Sequence, residues 1–184
     1  MPVLSDRVGT FTDSVIRRMT RINNQYNSIN LSQGFPDFDP PQQLLDALAK
    51  TAYNGPHQYA VTFGAQNFRE ALAKKTSPAL HHEVDPNTEV CVTCGGTEAM
   101  MAAMMTICNP GDKVMIFSPF YENYGADAIL SGAEPIYIPL VPPTYEFDIS
   151  LIEKGFAEGA KALILCNPSN CLLYTSPSPR DRSL

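Results

Sequence analysis

Apolar residues fall along this chain in two rhythms, and the change from one to the other near residue 89 sets its organisation. In the first part, Val15, Ile16, Met19 and Ile22 recur at three-to-four spacing and predict a helix, and the turn-rich stretch "NLSQGFPDFDPP" that follows predicts a loop. Asp39-Pro40-Pro41 ahead of Leu44, Leu45, Leu48 and Ala52 reads as a helix start, with Asp39 as the cap and proline in the first turn. A further helix is predicted from Gln66 to Lys75, before Pro78 breaks the pattern.

From residue 89 the pattern becomes regular. "EVCVTC" reads as a strand, "TEAMMAAMMTI" as a helix, "KVMIFS" as a strand, "YENYGADAIL" as a helix, "PIYIPL" as a strand, "DISLIEKGFA" as a helix and "KALILC" as a strand. Strands separated by single helices run parallel, and continuous apolar runs are what strands covered on both faces require, so the expectation is an α/β domain with a mostly parallel sheet. The stripe Met100, Met101, Met104 and Met105 is a helix face buried on that sheet or a soft binding surface, and the spacing favours burial. After Asn170 the character changes again. "CLLYTSPSPRDRSL" is rich in Ser, Pro and Arg and continues neither rhythm.

Composition narrows the class. With 184 residues, 44% hydrophobic and 17% charged, the chain has enough apolar material for a core, and a net charge of -6 gives no reason to expect nucleic acid or an anionic membrane as partner. No run of about 18 uncharged apolar residues is present, and early charges at Asp6, Arg7 and Asp13 do not suit a signal peptide, so a cytoplasmic location is expected. The five cysteines are odd in number and most lie in apolar runs, which suits buried thiols better than disulfides. Cys91 and Cys94 have the spacing of a metal knuckle, but no second such pair accompanies them, so no metal is expected.

Candidate chemistry collects where strands are expected to end, the place where open parallel sheets bind ligands. In "VTCGGTEA", Gly95 and Gly96 let a ligand approach the backbone, the helix start favours an anion, and the Thr97 hydroxyl adds a donor; alone, the segment is equally a tight turn. "FSPFYENY" places Tyr121 and its aromatic neighbours just past a strand, either to stack on a flat ligand or to fill a core. "LILCNPSN" ends in Asn167 and Asn170, whose amides suit a ring hydroxyl or a substrate.

Taken together, "NLSQGFPDF", "HQYAVTFGAQNFREALA", "VTCGGTEA", "SPFYENY" and "NPSN" resemble, in order, the class I/II aminotransferases, which are fold type I pyridoxal-phosphate enzymes. The resemblance covers about residues 5–170. It implies transfer of an amino group from an amino acid to a 2-oxo acid by a homodimer, with pyridoxal 5'-phosphate as cofactor and neither nucleic acid nor membrane as partner. Residue by residue, Gly34 matches the backbone position that meets the substrate carboxylate. Tyr59 matches the tyrosine that reaches the partner subunit's cofactor phosphate. Gly95, Gly96 and Thr97 match the phosphate cup, Tyr121 the ring-stacking aromatic, Asn170 the asparagine on the ring's phenolic oxygen, and Asn167 its neighbour at the substrate. The catalytic lysine, the acid for the pyridinium nitrogen and the arginine for the substrate carboxylate match nothing here. The six lysines (Lys50, Lys74, Lys75, Lys113, Lys154, Lys161) lie outside the family's lysine motif.

The resemblance therefore implies an N-terminal fragment: residues 1–40 as helix and substrate loop, 41–170 as an incomplete cofactor-binding large domain of fold type I, and 171–184 as a foreign tail. The string "CLLYTSPSPRD" resembles the translation of a transposase-type sequencing adaptor; the alternative is a native disordered tail. Made as written, the chain is expected to be inactive and to aggregate through exposed strand edges and helix faces. A C–S lyase or synthase of the same fold would share all five motifs. A non-catalytic phosphate- or nucleotide-binding module is the third alternative, against which stands the lack of GxGxxG and Walker patterns.

Overall fold

Val114, Met115, Ile116 and Phe117 are four consecutive buried residues, and they form the middle strand of a three-stranded parallel sheet. A computed structural model describes residues 3–10, 13–34 and 36–172. Strand β1 (Lys113–Ser118) lies between β2 (Glu134–Pro139) and β3 (Ala160–Ile164), with Ile116 opposite Tyr137 on one side and Ile164 on the other. Because side chains alternate across a strand, the middle strand must be apolar at every position if both faces are covered. Both are. Val114 and Ile116 join Met104 of α4 (Gly95–Ile107) and Ala128 of α5 (Asn123–Leu130), while Met115 and Phe117 join Ile138 and the Leu151–Ile152 face of α6 (Ile149–Ala157). Val114, Met115, Ile116 and Ile138 are under 2% exposed, and burying each contributes about 1.5–3 kcal/mol.

The order α4, β1, α5, β2, α6, β3 is the expected alternation with one element changed. Residues 89–94 do not form the expected strand. A strand is held by a ladder of bonds to a neighbour, and the ladders among the described residues join only β1, β2 and β3. Val92 instead gives its N–H to the Phe63 carbonyl at 3.0 Å. The methionine stripe divides: Met104 is 3% exposed and in the core, with Met100 packed beside it, whereas Met105 is 65% exposed. Successive helical residues point about 100° apart, so Met104 and Met105 cannot both face the sheet.

The chain divides into two compact units, Met1–Thr12 with Cys94–Leu184, and Asp13–Thr93. The first holds the sheet, and a 3-10 turn at Asp6–Thr10 lies against α5, with Arg7 Nη1 donating to the Leu130 carbonyl at 3.2 Å. The second unit holds α1 (Val15–Tyr26), α2 (Gln42–Asn54) and α3 (Gln66–Leu80). Ser14 caps α1 through Arg17 N. Pro41, not Asp39, precedes α2, and no side chain caps it there. Helix α3 runs through Pro78, contrary to the expected break, because that proline stands in the last turn, where its ring costs a single bond before His81 closes the helix in the left-handed conformation. No residue of α1 or α2 is buried, and Leu44, Leu48 and Tyr53 are exposed. Gly64 is required by its surroundings: φ is 106°, and a Cβ there would stand 2.5 Å from Val92 Cγ2.

The expected boundary of a foreign tail falls at Cys171. Cys171 and Leu172 continue in a turn, with Leu172 N–H donating to Ser169 Oγ, and 173–184 lie outside the described residues.

Candidate active site

Parallel strands deliver their C-terminal ends to one edge of the sheet, and two of the marked segments emerge there. Beyond β1 the chain turns through Pro119, Phe120 and Tyr121; beyond β3 it turns through Cys166 to Asn170. Between these turns lies a small open cleft of about 20 Å³, with Tyr121 and Asn170 both in its wall beside Phe117, Tyr124, Cys166 and Ser169. The ring-stacking candidate and the candidate for the phenolic oxygen thus line one cavity.

The third segment joins them through a hydrogen bond. Gly95, Gly96 and Thr97 form the first turn of α4, whose amides have no carbonyl of their own helix to bond and whose dipole favours an anion. Asn123, two residues past Tyr121, donates from Nδ2 to Thr97 Oγ1 at 2.7 Å and so ties the phosphate-turn candidate to the aromatic turn. Gly95 has φ of 82°, and nothing beyond the local backbone lies within 4 Å of a Cβ placed on Gly95 or Gly96. Open space therefore lies over the turn. The neighbouring Glu98 carboxylate accepts from Cys94 N–H, which holds that acidic group on the backbone.

The aromatic cluster has both of the roles its sequence allowed. Phe120 stacks on Tyr137 with centroids 5.1 Å apart and planes within 4°, and serves the core. Tyr121 meets Tyr124 edge to face at 5.8 Å, which leaves Tyr121 partly exposed in the cleft wall. The Tyr124 hydroxyl is pushed up to about 12 by its hydrogen bond with Cys166 and by burial, so it stays a neutral phenol at any physiological pH. Burial, reinforced by Cys166 and Glu122, likewise pushes the Cys171 thiol up. Asn167 is exposed and does not line the cleft.

The two remaining candidates belong to the other unit. Tyr59 is wholly exposed between α2 and α3, and Gly34 is exposed in the loop before α2 with open space around it. Tyr124, one of the aromatic neighbours of Tyr121 expected here, and Cys166 line the cleft, and Asn123 adjoins it through Thr97; neither Asn123 nor Cys166 was singled out by the sequence pattern. Asn123 had a usable signal in its place two residues after Tyr121, at the start of a helix, where a short polar side chain can reach a neighbouring turn.

The lysines of the sheet unit are all turned elsewhere. Lys113 and Lys161 begin β1 and β3, at the strand ends opposite the cleft, and pair with Glu158 and Asp112; Lys154 on α6 pairs with Glu158. The Lys161 ammonium, 2.8 Å from Asp112, holds that carboxyl below its usual range. Among the described residues no cluster of His, Cys, Asp and Glu is arranged to hold a metal, and no helix is long and apolar enough to cross a membrane.

A parallel α/β unit with a glycine turn opening a helix, an aromatic wall and an amide near the same edge is the fold type I arrangement. Residues 26–172 match the family Aminotransferase class I and II, and the chain belongs to that family. The sequence is 36% identical over 157 residues to a methionine aminotransferase of Escherichia coli K12, covering 85% of this chain and 41% of that protein. It is 32% identical over 166 residues to a probable N-succinyldiaminopimelate aminotransferase of Mycobacterium tuberculosis, covering 89% and 42%. A crystal structure from Escherichia coli described as having a methionine aminotransferase function superposes with a TM-score of 0.85 at 32% identity, over all of this chain and 47% of that one. The chain thus spans about two fifths of the length of these curated relatives.

The residues present fit pyridoxal phosphate, the cofactor of this family. Open backbone and a hydroxyl at a helix start suit the phosphate, Tyr121 suits one face of the ring, and the Asn170 amide suits an oxygen on its edge.

Proposed function

We propose that this chain is the N-terminal part of an aminotransferase that moves an amino group from an amino acid to a 2-oxo acid, and that the chain by itself is inactive. The observation that carries the reading is the convergence of Tyr121 and Asn170 on one cleft, with the Gly95–Gly96–Thr97 turn tied to it through Asn123. Pyridoxal phosphate, when bound, supplies an electron-withdrawing ring for the pair released at the substrate's α-carbon.

The described residues bind and orient. Thr97 and the first-turn amides of α4 would hold the phosphate. Tyr121 would offer its ring to the cofactor's flat face and the Asn170 amide would serve as donor to the phenolic oxygen. Tyr124, a neutral phenol in the same wall, holds its proton and adds no charge to the site. Proton transfer at the substrate needs a lysine, and none of those in the sheet unit reaches this edge: six residues of extended β1 put Lys113 about 17 Å from Ser118. That group, with the acid for the ring nitrogen and the arginine for the carboxylate, belongs to the length of the relatives that this chain does not span.

Gly34 meets the substrate carboxylate through its open backbone. Tyr59 is wholly exposed, and in this reading it serves the cofactor phosphate of a second subunit in a homodimer of the cytoplasm. The relatives named for methionine and for N-succinyldiaminopimelate differ in substrate, and most of the residues assigned above are assigned to the cofactor, so the reading extends to the shared part of the reaction and not to a particular amino acid.

The test is to incubate the full-length protein with a panel of amino acids and 2-oxo acids and follow products by mass. New amino acid formed in step with loss of donor supports transfer. Pyruvate and ammonia without a new amino acid overturns it in favour of a C–S lyase.

A further inference from the structure

We propose that Asn123 is a positioning residue for the cofactor phosphate, acting through Thr97 rather than by touching the phosphate itself. The inference rests on the cofactor reading above and goes beyond it by assigning a role to a residue of the SPFYENY segment to which the resemblance gave none. A threonine hydroxyl has one O–H donor and two lone pairs, and it turns to suit its neighbours. At the start of α4 the Thr97 hydroxyl accepts from Asn123 Nδ2 at 2.7 Å. With that lone pair engaged by a donor, the O–H is directed away from Asn123 and is free to be given to an anion over the open first turn.

Asn123 is itself well held. It opens α5, in a turn that Tyr124 N–H closes onto the Tyr121 carbonyl at 3.0 Å, so the amide is carried by the same turn as the ring-stacking candidate. The bond therefore joins two segments 26 residues apart in sequence and fixes the spacing between the phosphate end and the ring face of the site. A hydroxyl pointed in advance gives its hydrogen bond without first losing rotational freedom, and a bond to a charged acceptor is the stronger kind.

The experiment compares binding of pyridoxal 5'-phosphate and of pyridoxal, which lacks the phosphate, to the full-length apoprotein by equilibrium dialysis. The variants are Asn123→Ala, Asn123→Asp, Thr97→Val and Asn123→Ala with Thr97→Val. Asn123→Ala is expected to weaken pyridoxal phosphate about tenfold and to leave pyridoxal unchanged. The double variant is expected to be no weaker than Thr97→Val alone, because both changes remove one device. Asn123→Asp keeps the shape but only accepts, so it draws the Thr97 proton to itself and brings a negative charge near the phosphate; it is expected to be weaker than Asn123→Ala. Equal loss for both ligands, or additive loss in the double variant, overturns the proposal while leaving the cofactor reading intact. A wild-type protein that binds the two ligands equally, or binds neither, overturns the phosphate cup itself and the proposal with it.

Discussion

Gly155→Ala is the substitution whose effect can be worked most directly from the packing. Gly155 is buried on α6 against the middle strand, and a Cβ at that position would stand 2.2 Å from Met115 Sδ, 3.1 Å from its Cγ and 3.4 Å from its Cε. Non-bonded heavy atoms settle at about 3.5–4.0 Å, so the sulfur must retreat by roughly 1.5 Å. Turning the terminal methyl alone does not relieve this, since Cγ is crowded too. Met115 is 0% exposed and shares its layer with Phe117, Ile138 and Ala160, which leaves it no solvent to move into. Overpacking of this kind costs about 1–3 kcal/mol, while replacing a helical glycine by alanine returns about 1 kcal/mol. The overpacking term wins. The expected net loss is about 1 kcal/mol, read as a lower urea midpoint in pulse proteolysis of the full-length protein. Met115→Ala alone is expected to cost about 2–5 kcal/mol, and the pair less than the sum by at least about 0.5 kcal/mol, because the new methyl fills part of the space the methionine left. A Gly155→Ala protein more stable than its parent, or strict additivity in the pair, refutes the packing argument.

Asp127 on α5 is 3% exposed, and its Oδ2 has no hydrogen-bond partner among the described residues; burial raises its carboxyl above 3.8. The folded state then holds a proton that the unfolded chain has released, so the carboxyl's contribution is present below the unfolded value and is lost as pH rises through the folded one. Asp127→Asn should therefore gain stability relative to the parent between pH 4 and pH 8, by about 1–3 kcal/mol at the upper end; parallel thermal-shift curves over that range would exclude the effect. Arg69, 6% exposed on α3, donates from Nε to the Gly64 carbonyl at 3.1 Å, from Nη1 to the Pro86 carbonyl and from Nη2 to Gln66 Oε1. Arg69→Met leaves two carbonyls without their donor and should cost about 2 kcal/mol or more, seen as faster amide exchange at Gly64 and across 85–92; unchanged exchange there would show that the guanidinium is dispensable.

What the sequence made legible follows from how far apart the deciding residues are. A buried strand such as KVMIFS announces itself in six residues, and its helices do so through a repeat of three and four, so the alternation from α4 to β3 could be read directly. Its covered faces could be read too, because Val114 and Ile116 must point opposite to Met115 and Phe117. EVCVTC carries the same local signal and is not a strand, since a strand is made by its neighbour and no window of six residues contains the neighbour. Pro78 is the converse case. Its signal to stop a helix is sound, but three residues from the end there is little helix left to break.

The site divides along the same line. Tyr121 and Asn170 stand where strands give way to turns, and Gly95 and Gly96 where a helix opens, and there an exposed ring, an amide or a glycine departs from the apolar rhythm and can be noticed. Asn123 carries only the weak signal of its place two residues after Tyr121. In YENYGADAIL it is one polar residue at a helix start, a place where polar residues are ordinary. Its bond to Thr97 forms only when folding lays α5 beside α4 and brings Nδ2 to Thr97 Oγ1. A residue that binds the ligand directly must differ from its surroundings in chemistry, whereas one that orients another needs only to differ in place. Local pattern therefore finds the first kind, and the second kind becomes visible when the hydrogen bonds are traced through the folded chain.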